Sequence, residues 1–322
     1  MDQYPILNFI TQDPHYSDYR PAVGPDGTVV IFERTVFQSG APAGDTTLYV
    51  VDDLGDPDPV VFIPAGGPDQ QTRADWCWAA NTVAFNGDAQ SVWIADGDGT
   101  SPWQIGGTNG LNYPAWSPDG ATLTVENGST SAKPRPSNSR IDTSGGIVWA
   151  NMNGSDADGN ALFGGMPAVN PVNDLLVAFA GQPDIANWPK GSHPAPSGYN
   201  QDANYIFLNS GNAPVFTSAP LEQGAPIDCY NEQYQGRAPA WSPDGRYVVF
   251  ESARSGEGYA IYLFDTKNPG KASKQLTDPG YQAQHAKFFP DGTKLALVAL
   301  QSPGATGTPN GIAWIDISGY LE

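Results

Sequence analysis

Arg20, Tyr113, Arg237 and His285 each stand just ahead of a segment that turns, and their side chains are of the kinds that hold an anionic or sugar ligand. A guanidinium makes paired hydrogen bonds to a carboxylate, and a phenol ring stacks on flat groups. Ion pairs with Asp18, Asp75 or Glu232 are a competing structural use for the same arginines and weigh more heavily. The three histidines, His15, His193 and His285, could in principle converge on a metal. His193 lies in a Pro/Gly/Ser-rich stretch and His15 is farther from its turn than His285, so no shared metal is expected. Asp156-Ala-Asp158-Gly-Asn160 resembles part of a calcium loop but lacks the closing Glu, and a hairpin turn accounts for it better. Lys133-Pro-Arg135-Pro-Ser-Asn-Ser-Arg140 reads as a solvated basic loop. Trp76 and Trp78, either side of Cys77, read as packing between sheets. Cys77 and Cys229 are too few to decide between a disulfide and two thiols.

The elements that would position these residues come from an internal repeat. Pro21-Ala-Val-Gly-Pro25-Asp26-Gly27 recurs as Pro114-Ala-Trp116-Ser-Pro118-Asp119-Gly120, as Pro239-Ala-Trp241-Ser-Pro243-Asp244-Gly245 and as Ala286-Lys-Phe-Phe-Pro290-Asp291-Gly292. Pro presets the first turn torsion, Asp bonds back to the chain and Gly takes a positive φ, so each copy is a reversal between strands. Degenerate copies at Met166 to Phe179 and at Trp76 to Phe85 bring the count to six. Second hairpins follow, with third strands at Tyr49, Val92-Trp93, Val148-Trp149 and Ile261, which gives four strands per repeat. The last repeat ends one strand short, at Ile312 to Asp316, while Ile6 to Thr11 supplies a spare strand at the start. The expected fold is therefore all-β: a six-bladed propeller of four-stranded antiparallel blades in one domain over 1–322, with residues 4–12 completing the last blade. In such blades the Pro-Asp-Gly turns share one face. The other face would collect the long segments 34–45, 127–145, 182–202 and 220–236, where binding is expected.

Composition agrees. Among 322 residues, 37 Gly and 30 Pro with only 15% charged residues suit a turn-dense β protein. Thirty-four acidic against fifteen basic residues give a net charge of −19, which disfavours nucleic-acid partners. No apolar run is long enough to span a membrane as a helix. The opening Met1-Asp2 and closing Leu321-Glu322 read as the ends of an expressed segment from which a signal peptide has been removed, implying a periplasmic or secreted protein.

The Pro-Ala-Trp-Ser-Pro-Asp-Gly blocks at 114–120 and 239–245, with Trp93-Ile-Ala-Asp-Gly-Asp-Gly-Thr100, resemble the PD40 (WD40-like) repeats of the TolB-type propellers, and the likeness runs over nearly the whole chain. It implies a monomeric, non-catalytic propeller that binds a protein or glycan partner, with no cofactor. The first hairpin begins by Pro21, where TolB carries an α/β domain, and no Gly-x-Ser-x-Gly elbow supports a peptidase. The same superfamily includes lyases of the oligogalacturonate type, so uronate elimination with a divalent cation such as Ca or Mn is the alternative activity. From that family's ligands only Gln282 and His285 carry over.

Overall fold

The computed structural model describes residues 4–55, 58–127, 136–186, 188, 203–210, 215–305 and 307–322. Its strands form six four-stranded antiparallel sheets, each built from chain-consecutive strands except the last. There Asn8–Phe9 pairs with Asn310–Asp316, opposing Asn8 to Trp314 and Phe9 to Ala313. The Ile10 and Thr11 N–H groups continue the contact onto the Ile312 carbonyl at 2.8 and 3.1 Å. The first strand thus closes the ring into the last blade, as the spare strand requires.

The Pro-Asp-Gly reversals work as their chemistry dictates. Gly27, Gly120, Gly245 and Gly292 sit at φ between +69° and +73°, and Asp26, Asp119, Asp244 and Asp291 each accept the N–H two residues on at 2.8–3.0 Å. Strands leave these turns buried on both faces because each sheet stacks on the next. Val23, Val30 and Phe32 of the first blade pack on Phe289, Val298 and Ile312 of the last. Ile31 and Leu48 pack on Val83 and Phe85 of the second.

Three expectations change. Residues 34–45 are not an irregular loop: Val30–Gln38 and Ala41–Val51 run on as one long hairpin around Ser39-Gly40, carried by β-branched residues such as Thr35, Val36 and Thr47. In the third blade the third strand is Ser137–Asp142, and Ile147–Trp149 is pushed to the outer edge. Consequently Arg140 is buried rather than solvated; its guanidinium reaches Thr124 Oγ1 and Asp174 and lies 4.9 Å from the Trp149 ring. Lys133, Arg135 and His193 lie outside the described residues. The Asp156 carboxylate instead does what a turn asks of it, accepting the Asp158 and Asn160 N–H groups at 3.0 and 2.8 Å. Cys77 is buried, Cys229 is exposed, and both are free thiols.

Candidate functional site

The innermost strand of every blade breaks its register at the same place. Arg20, Arg73, Tyr113, Met166, Ala238 and His285 all take positive φ, between 43° and 55°, and each sits inside a shift in strand pairing. Four of them precede Pro21, Pro114, Pro167 and Pro239, which have no N–H to give to a ladder. A bulge re-aims the side chain it carries, and six in a ring bring five of these side chains and Ala238 around one axial chamber of about 60 Å³.

The freed backbone N–H groups are caught across the seams between blades. Glu33 accepts from Arg73 N at 2.6 Å, Asn86 from Tyr113 N at 3.0 Å, Glu126 from Met166 N at 3.1 Å and Glu251 from His285 N at 2.9 Å. In each case a second-strand side chain of one blade holds the bulge of the next. Gly165 has no side chain for a local reason: a Cβ there would meet the Glu126 carboxylate at 1.7 Å.

Cations dominate the chamber. Arg20 donates to Glu33 Oε2 at 2.9 Å, and its guanidinium lies 4.6 Å from the Tyr19 ring and 5.8 Å from that of Tyr113. Arg73 also approaches Tyr113, 4.6 Å from the ring, and donates to Asn112 Oδ1 at 3.3 Å. The Tyr19 ring meets His285 edge-on at 4.8 Å, and its hydroxyl donates to Gln284 Oε1 at 2.7 Å. Burial, reinforced by Arg20, Arg237, Lys287 and Arg73, drives the His285 pKa well below its ordinary value, so the imidazole is neutral. Burial likewise raises the Glu126 carboxyl. Burial alone would lower the Arg20 pKa, but Glu33 and the two tyrosines outweigh it and raise it.

Three polar atoms here, Arg20 Nε, Arg73 Nε and His285 Nε2, are buried with no hydrogen-bond partner among the described residues. Such groups cost about 1–3 kcal/mol each when left unmet. The set can present N–H donors to an oxyanion; as a base, a neutral histidine whose conjugate acid is so disfavoured is weak.

Asp75 and Lys287 close the chamber on one side with an ion pair of 3.1 Å from the second blade to the last. Beyond them, toward the Pro-Asp-Gly turns, the channel widens to about 440 Å³ between Trp76, Trp78, Trp116 and Trp241 and the turn prolines. Among the described residues the larger cavity is therefore on the tight-turn side rather than the long-segment side. Tight turns leave the ends of the inner strands uncovered, whereas the bulge side chains fill the middle.

Of the residues singled out in the sequence, Arg20, Tyr113 and His285 come together. Arg237 stands one place before its bulge and turns toward its own blade, donating to Tyr259 Oη at 2.9 Å and lying 3.6 Å from Glu251. The expected arginine partners also differ. Asp18 grips Arg34 through two bonds of 2.7 Å, Asp75 takes Lys287, and the cross-strand neighbours Glu33 and Glu251 take Arg20 and Arg237. Of the tryptophans either side of Cys77, Trp76 packs on Phe62 and Trp78 reaches the Val23 carbonyl of the first blade at 2.8 Å. Sequence reasoning missed Arg73, which belongs to the copy without a Pro-Asp-Gly turn, and Lys287, legible two places after His285 in the last copy.

Gln282 is not among the residues that line the chamber with His285. Gln282 caps a short helical turn at φ 51°, and its Oε1 accepts the Tyr259 N–H at 3.1 Å. His15 is exposed and is not among the residues that line the chamber. Among the described residues no three His, Cys, Asp or Glu side chains converge as metal ligands, and no helix is long and apolar enough to cross a membrane.

No protein-family model matches the chain. An uncharacterized protein of Agrobacterium fabrum is 25% identical over 204 residues, 59% of this chain and 66% of that protein, so the match spans just under two thirds of the relative's length. TolB from Acinetobacter baumannii superposes with a TM-score of 0.56 at 16% identity, covering 89% of this chain and 64% of TolB. An oligogalacturonate lyase in complex with manganese gives 0.56 at 12% identity, covering 97% and 93%. Likeness at these identities is likeness of fold: the chain shares the six-bladed propeller of TolB-like proteins.

Proposed function

We propose that this chain is a binding protein, not an enzyme, and that its propeller recognises an acidic group of a protein or glycan partner at the axis of the ring. Arg20, Tyr113 and His285, with Arg73 added and Arg237 behind them, form the recognition set. The observation that carries the reading is the ring of buried, unmet polar atoms, Arg20 Nε, Arg73 Nε and His285 Nε2, at one small chamber. A carboxylate supplies the acceptors those guanidinium N–H groups lack, and charge-assisted bonds to it are the stronger kind. The reading includes a periplasmic or secreted location, checked by cell fractionation, and a monomeric state, checked by light scattering.

Calorimetric titration with galacturonate tests it. The wild-type chain binds, and the Arg20→Gln/Arg73→Gln pair lowers affinity at least tenfold, whereas Arg246→Gln, which breaks a surface pair with Asp265, does not. No binding, or equal binding by all three, overturns the reading. Elimination on uronate polymers is the competing activity. With manganese or calcium supplied, no rise in ultraviolet absorbance from unsaturated products is expected, and a sustained rise would replace binding with catalysis.

A further inference from the structure

Asp75 and Lys287 line both the small chamber and the wide one, so their ion pair is the partition between them. The pair is poorly shielded from water, with side chains 22% and 34% exposed, and such pairs hold weakly. Its two halves are unequally tethered. Asp75 Oδ2 also accepts the Trp116 N–H at 2.9 Å, which keeps the carboxylate in place. Lys287 is a point charge on a flexible stem and can leave.

The wide chamber has a volume typical of ligand sites, and its walls offer few hydrogen bonds. The Nε1–H groups of Trp76, Trp78 and Trp241 are committed to Asn81 Oδ1 and to the Val23 and Ala168 carbonyls. The Ser117 hydroxyl is committed to Asp119 and Thr122. Trp116 Nε1 alone among these is buried and unmet. A sugar ring seated here would leave most of its hydroxyls unpaired, while a flat apolar body would lose nothing.

We infer that the channel takes a carboxylate carried on a flat apolar body, with the body among the tryptophans and the carboxylate drawing Lys287 away from Asp75 toward the arginines. This rests on the anion-binding reading above and narrows it. Two sources present this chemistry: a free aromatic acid, and the carboxyl end of a peptide closing on an aromatic residue.

Calorimetry on the full chain with indole-3-acetate, indole-3-acetamide, an acetylated peptide ending in Trp with a free carboxylate, and glucuronate separates the cases. Indole-3-acetate or the peptide is expected to bind at least tenfold more tightly than either glucuronate or the amide, and the tighter of the two identifies the source. Lys287→Gln should weaken that probe about tenfold. Asp75→Asn keeps an acceptor for Trp116 N and releases the lysine, so it should tighten binding severalfold, a gain that a damaged fold would not give. If glucuronate binds as well as the indole acids and Lys287→Gln changes nothing, this inference falls while the anion site stands. If no acid binds, the anion site itself falls.

Discussion

At the scale of single residues, His285 concentrates the physics of the channel. Its imidazole is buried between Tyr19 and Glu251, with four cations in range, and burial first, then those cations, hold its pKa well below that of the free side chain. The unfolded chain therefore binds a proton near pH 6.5 that the native chain refuses. This contribution to stability is complete above that pH and is lost as pH falls below it, with a slope of at most about 1.4 kcal/mol per pH unit. Thermal melts of wild type and His285→Asn between pH 8 and 5 check this: the variant should lose less stability per unit of acidification, and parallel curves would contradict it. What could be read of the site in advance follows the same physics. Arg20, Tyr113 and His285 were legible because each immediately precedes a recurring Pro-Ala or Ala block. Arg237 misled by one place, since it is Ala238 that adopts φ 43°. Nothing in the spelling of Glu33 or Glu251 announces that they hold the next blade's bulge; that depends on how sheets stack, which no local pattern contains.

At the scale of elements, the seams and the turns make separable predictions. Glu251 is fully buried, accepts His285 N and faces Arg237. Glu251→Ala leaves the His285 N–H unmet and takes the buried carboxylate from Arg237, and chemical denaturation should show a loss on the order of 3–5 kcal/mol. A loss below about 1 kcal/mol would mean the seam is held by apolar packing alone. Among the turns, Gly245 and Gly256 both adopt positive φ, at +69° and +76°, but a Cβ on Gly245 would lie 2.5 Å from Val172 Cγ2 while one on Gly256 meets nothing within 4 Å. Gly256→Ala should cost roughly 1–2 kcal/mol from backbone strain, and Gly245→Ala distinctly more. Equal costs would show that turn torsion, not the contact between blades, decides. The turns were readable because Pro-Asp-Gly has one local meaning. The third strand at Ser137–Asp142 was not, because Arg140 enters the interior only by meeting Thr124, Asp174 and Trp149, which are distant in the chain.

At the scale of the whole molecule, the ring is held shut by its first strand, and its charge is arranged against its composition. Without residues 1–11 the strand Asn310–Asp316 loses its outer partner and the contacts of Ile10 and Thr11 with Ile312. An exposed edge of this kind invites association. The truncated chain should melt lower and appear as larger species by light scattering, whereas an unchanged melt would mean that the apolar seams suffice. Within a chain of net charge −19, four of the fifteen basic residues, Arg20, Arg73, Arg237 and Lys287, act on the buried His285 at the axis. That concentration is what the binding account depends on. Its most direct test is a crystal structure of the protein with a saturating carboxylate probe. The account predicts the carboxylate oxygens within hydrogen-bond reach of Arg20 Nε and Arg73 Nε, beside His285. A probe bound only on the outer surface, with the axial chamber holding water alone, would contradict it.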